Sequence, residues 1–272
     1  MRIVTTTTVF PKGIPENELL QRFLRLGYTN LDIAFERFLD KDDPFMSEDY
    51  LSWARELRAT ADALGISFTH AHACADVDYR GKEIFRCLEC CGILGVKYIA
   101  VHPVFAVNGK VIDDDDEFIS LNARYGKELL PYAIENNVTL ALENLLWGSS
   151  IKPSAIAGVA EAINHKSFGW CFDTGHANSF DVPMSAIRGL PAPVSLHVHD
   201  NVGNARDEHM LPGDGIIDWK DFLTSLKAVG YEGDLVLEAH HQPLAAPDSG
   251  RDAILTDLLG RAEKMREYYL SL

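Results

Sequence analysis

The sequence predicts an α/β protein of the (β/α)8 barrel class, on three observations. Eight short β-branched or apolar runs alternate with longer stretches of helical spacing. Four of the later runs end in a carboxylate or an imidazole. The chain has 272 residues, and a (β/α)8 barrel of about 250 residues fits that length as one unit. A single barrel domain over 1–272 is therefore the expectation.

The strand runs, in order, are Arg2 to Val9, Asn30 to Phe35, Ser67 to Ala73, Val96 to His102, Val138 to Glu143, Gly169 to Asp173, Val194 to His199 and Asp234 to Glu238. Near-continuous Val/Ile/Leu content is the signature of strands buried on both faces, as in parallel sheets. Between them lie amphipathic stretches such as NELLQRFLRLG, EDYLSWARELRATADALG, GKELLPYAIENN, WKDFLTSLKAVG and the terminal DAILTDLLGRAEKMREYYL. Several stop at Gly, which takes the left-handed turn that ends a helix. A doubly wound open sheet would show a Gly-rich phosphate loop after an early strand. The chain has none, and GDG at Gly213 stands too late and precedes no such unit.

Composition narrows the function. A net charge of −15 without a basic run argues against a nucleic-acid partner, whose backbone is held by clustered Lys and Arg. The acidic DDDDE stretch from Asp113 to Glu117 is expected to lead into a helix, where carboxylates favour the N-terminal end. No run reaches the roughly 20 apolar residues that span a bilayer, and MRIVTTTTVF lacks an apolar leader. A soluble, cytoplasmic protein is the expectation. The five cysteines, 74, 87, 90, 91 and 171, are odd in number, sit inside apolar segments and suit reduced core thiols.

Polar side chains at the ends of buried strands are costly unless something pairs with them. Here LALEN ends near Glu143, GWCFDTGH carries Asp173, VSLHVHD carries His199 and LVLEAHH carries Glu238. Active sites of such barrels lie at the C-terminal strand ends, so the four point to one shared site. Three oxygen ligands and one imidazole suit one divalent ion, Mn2+, Mg2+ or Co2+ above Zn2+. His70, His72, His102, His176 and His209 stand at or near strand ends or in the loops above them.

At these residues the chain resembles the xylose isomerase-like TIM barrels, which include sugar isomerases, ketose 3-epimerases and the endonuclease IV nucleases. ALEN, FDTGHAN, LHVHDN, the HxxPGxGxIDW segment from His209 and LVLEAH stand in family order over almost the whole chain. The resemblance implies that Glu143, Asp173, His199 and Glu238 hold one metal, and that Glu143 and Glu238 are acid and base on opposite faces of a substrate. His176 would contact that substrate. The HxH pair leaves two alternatives, because His197 and His199 share strand parity: His199 as ligand matches the epimerase spacing and is favoured by the acidity of the chain, whereas His197 matches the nuclease pattern.

Such a site implies a sugar or sugar-derivative isomerase or epimerase, moving a proton through a metal-stabilised enediolate. A metal-assisted hydride shift would use the same ligands, and an inosose-type dehydratase the same enolisation. His72, His102, His176 and His209 would bind substrate. Arg206, one residue beyond the arginine position of the 3-epimerases, either clamps substrate or is a surface charge. Trp147 would wall one face of a small sugar or polyol-derived ketone. The alternative is a trinuclear-zinc phosphodiesterase like endonuclease IV, with His72, His102, Glu143, Asp173, His176, His197, Asp207, His209 and Glu238 as ligands. A homo-oligomer is consistent with the class, though no residue marks an interface.

Overall fold

A computed structural model describes residues 1–74 and 81–272. Eight parallel strands form the barrel: β1 (Ile3–Thr6), β2 (Asn30–Ala34), β3 (Ser67–His72), β4 (Tyr98–Val101), β5 (Thr139–Glu143), β6 (Phe168–Asp173), β7 (Ser195–His197) and β8 (Leu235–Leu237). The hydrogen-bonded order runs β8-β1-β2-β3-β4-β5-β6-β7. The ring closes between β7 and β8 through a parallel bridge from Val198 to Leu237, with Val198 N donating to Val236 O at 2.8 Å and Glu238 N to Val198 O at 3.0 Å.

Among the described residues the helices are α1 (Glu16–Arg25), α2 (Tyr50–Leu64), α3 (Glu83–Leu94), α4 (Asp115–Glu135), α5 (Pro153–Ile163), α6 (Thr174–Ser179), α7 (Trp219–Ala228), α8 (His241–Ala245) and α9 (Asp248–Ser271). The acidic run does start a helix: Asp114 caps α4 by accepting from Glu117 N, and Asp115, Asp116 and Glu117 fill its first turn, where the helix dipole favours them. All five cysteines are free and buried. Among the described residues, no helix is long and apolar enough to cross a membrane.

Three local outcomes differ from the sequence expectation. The first strand stops at Thr6, because Thr7–Val9 turns as a 3-10 helix with the Thr6 side chain accepting from Thr8 N. The sixth strand lacks a long helix: α6 spans six residues and is followed by a 3-10 turn at Met184–Ile187, in a stretch where Pro183, Pro191 and Pro193 cannot donate the bonds a helix needs. Between β4 and α4 a hairpin pairs Ala106–Val107 with Lys110–Val111. Its Asn108-Gly109 turn has φ of 51° and 77°, the left-handed pair that a two-residue hairpin loop requires.

Strand register sorts the side chains. In a parallel sheet, residues in register face the same way and alternate with their neighbours. Glu143 is in register with Cys171, and Asp173 with His197, so the polar set shares the barrel interior. The alternating Leu140, Leu142, Phe172 and Leu196 are all fully buried and supply the apolar contact between barrel and helices that stabilises the fold.

Candidate active site at the C-terminal strand ends

Glu143, Asp173, His197 and Glu238 converge so that one ligand atom from each lies within 4.8 Å of the others. His197 is the hub: its Nδ1 is 2.8 Å from Glu143 Oε1, 3.3 Å from Glu238 Oε2 and 3.8 Å from Asp173 Oδ2. His199 lies elsewhere. The strand ends at His197, and His199 Nε2 contacts both oxygens of Asp173, Oδ1 at 3.1 Å and Oδ2 at 3.2 Å. Of the two HxH alternatives, the structure thus brings His197, rather than the favoured His199, into the group with both glutamates.

Two groups that add further histidines adjoin this one, and His72 also lies within reach of His197 and Glu238. His72 and His102 place Nε2 at 3.3 and 3.5 Å from Glu143 Oε2. His176, His199, Asp207 and His209 form the third, again within 4.8 Å. There His209 Nε2 is 2.9 Å and His176 Nε2 3.7 Å from Asp207, and His199 stacks on His209 with ring centroids 3.9 Å apart. A Cβ on Gly175 would lie 1.9 Å from His199 Cε1, so the DTGH glycine is required for the His199 ring to lie there.

The histidine tautomers follow from their backbone contacts. His72 Nδ1 lies 2.7 Å from Ala73 O, His176 Nδ1 2.8 Å from Asn144 O, and His209 Nδ1 2.9 Å from Glu238 O. A carbonyl only accepts, so in each ring Nδ1 carries a proton, and Nε2 is left to Glu143 in His72 and to Asp207 in His176 and His209. That arrangement orients and strengthens an imidazole ligand. Asn144 also clasps Asp173, accepting from its N–H at 2.8 Å and donating to its carbonyl at 3.0 Å.

Electrostatics decides how the cluster is neutralised. Burial alone would raise Glu143, but the charge of His197 and bonds from His102, His197 and His72 hold it well below its usual range. Burial would lower His72 and His176; contact with Glu143 for the first, and with Asp173 and Asp207 for the second, instead pushes both up to about 10. Glu238 is pushed up to about 7, chiefly by burial. Without a cation, protons on the histidines balance the carboxylates.

A divalent ion fits these residues. His199 Nδ1 is buried without a hydrogen-bond partner, an unusual cost for a native site, and Glu143 Oε2 and Asp207 Oδ1 are buried facing imidazole nitrogens at 3.3 and 2.9 Å. The oxygen and imidazole donors suit Mn2+, Mg2+, Co2+ or Zn2+.

The remaining sequence candidates divide. Arg206 is 67% exposed with its guanidinium 3.6 Å from Glu208, outside the three groups. Trp147 is 46% exposed and stacks on Phe105 at 4.6 Å, where the hairpin meets the turn after β5 through Ser149 N donating to Ile112 O. Sequence reasoning missed His240, whose ring lies 4.1 Å from that of His209, and the clasp made by Asn144. The LEAHH and ALEN segments contain both residues next to the recognised glutamates, but nothing in either segment signals a contact with a distant strand.

The fold and site define a barrel protein with buried groups suited to divalent metal at its C-terminal mouth. The chain belongs to the xylose isomerase-like TIM barrel family, whose model matches residues 20–257. An uncharacterized protein of Methanocaldococcus jannaschii is 30% identical over 131 residues, covering 46% of this chain and 43% of that one. The chain thus matches less than half the length of this curated relative. Two solved structures show the same fold. A D-psicose 3-epimerase determined in the presence of D-fructose superposes with a TM-score of 0.74 at 11% identity, over 97% of this chain and 99% of the other. The IolI protein with a bound zinc atom superposes at 0.74 and 17% identity, over 100% and 98%.

Proposed function

We propose that this protein is a divalent-metal-dependent isomerase or epimerase of a sugar or sugar-derived hydroxyketone. The carrying observation is that Glu143 and Glu238 reach the same His197 nitrogen from different strands, at 2.8 and 3.3 Å, with their proton affinities pushed apart. Two carboxyls tuned in opposite directions mark an acid and a base. Glu143, held ionised, removes the proton beside the substrate carbonyl. Glu238 delivers one to the opposite face. One metal ion, Mn2+, Mg2+ or Co2+ by preference, held by Glu143, Asp173, His197 and Glu238, would polarise the carbonyl as a Lewis acid. Trp147 and Phe105 offer an apolar wall to the substrate, and His176 and His102 hydrogen-bond its hydroxyls. A dehydratase would begin with the same proton abstraction.

The test is deuterium wash-in. Metal-loaded protein incubated with ketohexoses and other hydroxyketones in D2O should exchange the hydrogen beside the carbonyl, and Glu143→Gln and Glu238→Gln should each abolish the exchange. Failure on every such substrate would sink the reading.

One observation favours a second reading, a trinuclear-zinc phosphodiesterase. The His72/His102 pair and the His176/His199/Asp207/His209 group adjoin the first group through Glu143 and Asp173, as three ions sharing carboxylates would require. Close to three zinc ions per chain with cleavage of a phosphodiester would move the assignment there, although the charge of −15 opposes a nucleic-acid backbone.

A further inference from the structure

The HxxPGxGxIDW segment is the most distinctive motif in the chain, yet only its histidine reaches the site. The rest of it converges on Asp200, which is fully buried. Asp200 Oδ1 accepts from Asn201 N at 3.0 Å and Ile217 N at 3.2 Å. Its Oδ2 accepts from Gly213 N at 2.8 Å and Trp219 Nε1 at 3.0 Å. Its backbone exchanges both hydrogen bonds with Met210, at 2.9 and 2.8 Å. A carboxylate buried without a cation is tolerated when several donors satisfy it, and here every donor but Asn201 belongs to one loop or to the helix that follows.

The packing is equally specific. A Cβ on Gly215 would lie 2.3 Å from Asp200 Oδ1 and 2.2 Å from Asn201 O, so only glycine lets the loop close over the carboxylate. Asn201 ties the same loop to α6, donating to Gly175 O and Ser179 Oγ and accepting from Gly203 N. Within the closed loop His209 adopts φ +41°, a backbone state that non-glycine residues hold only when the surroundings enforce it. The outer edge has a separate tie, from Arg261 to Pro212 O and Asp214.

We infer that Asp200 is a positioning residue: it pins the 201–219 loop so that Asp207 and His209 are presented to His176 and His199. The motif is then a loop-closing device, with Gly213, Ile217 and Trp219 donating to the Asp200 carboxylate and Gly215 leaving room for it. The metal arm of the test rests on the third group holding a cation; the loop arm does not.

The experiment uses Asp200→Asn, Gly215→Ala and, as a control on the outer tie, Arg261→Ala. Hydrogen-deuterium exchange over 201–217 is compared with that of β5 and β6, and cobalt equivalents are measured by titration. Asp200→Asn and Gly215→Ala should exchange at least tenfold faster within 201–217 while β5 and β6 stay protected, and should lose the cobalt held by the third group but keep that at Glu143. Arg261→Ala should keep both. Unchanged exchange, or a loosened loop with full cobalt binding, would overturn the inference. Should the wild type bind cobalt only at Glu143, the third group fails as a cation site, and loop exchange alone decides the role of Asp200. If Asp200→Asn does not fold, Gly215→Ala carries the test.

Discussion

His197 Nδ1 stands 2.8 Å from Glu143 Oε1 across the intervening strand β6, and this contact organises the mouth of the barrel. It joins residues 54 positions apart, brings in Glu238, and leaves the other oxygen of Glu143 to His72 and His102.

That contact separates the two members of the HxH pair. His197→Ala should remove metal from the Glu143 group, with affinity falling by at least 100-fold, whereas His199→Ala should leave that group loaded and affect only the third. Elemental mass spectrometry after equilibrium dialysis measures both, and equal losses would contradict the arrangement.

Metal binding should release protons. His72 and His176, both raised to about 10, hold protons in the metal-free protein at pH 7, and a cation displaces them. Apparent affinity should therefore rise with pH between about 6 and 9. Calorimetry in two buffers of different ionisation enthalpy should give at least one proton released per ion bound; zero release would contradict the imidazolium assignment.

The same histidines set a stability trend in the metal-free protein. Their folded values lie above the unfolded value near 6.5, so the stabilisation they provide is fully present below about pH 6.5 and is lost as pH rises toward 10. Denaturant midpoints of metal-free protein should fall from pH 6.5 to 9.5, and saturating metal should flatten the curve.

Asp32 shifts stability in the same direction, at lower pH. It is fully buried, both its oxygens lack a satisfying partner, and burial pushes it up to about 6. A carboxyl raised in the folded state costs stability once ionised, so the penalty grows from about pH 4 to 6 and reaches about 3 kcal/mol above that. Asp32→Asn should gain roughly that amount relative to wild type between pH 4 and pH 8. A pH-independent difference between the two proteins would be the contrary result.

Trp147 tests the wall of the site. Its half-exposed ring makes a single stack with Phe105, a contact worth about 1 kcal/mol. Trp147→Ala should raise KM for the true substrate by about threefold to tenfold and move Tm by less than 2 °C. A large drop in Tm would mean that the ring is packing rather than a wall.

Alternating strand and helix periods were enough to read the eight strands and the class of fold from the sequence, because a strand buried on both faces shows its burial in its own composition. The ends of those strands also named Glu143, Asp173 and Glu238, since a carboxylate that closes an apolar run is conspicuous without knowledge of its neighbours. The short α6 and the Asn108-Gly109 hairpin carry local signals as well, in the prolines around 183–193 and the NG dipeptide.

Tertiary structure decided what local spacing leaves open. His197 and His199 have the same parity on the same run, and which one meets Glu143 depends on where β7 ends against β8, a register set by residues about 40 positions away. The three-group arrangement, the clasp of Asn144 on Asp173 and the closure of the loop on Asp200 likewise join distant segments. Hydrogen bonds and ligand contacts require atoms within about 3 Å, and only the closed barrel brings those segments that near.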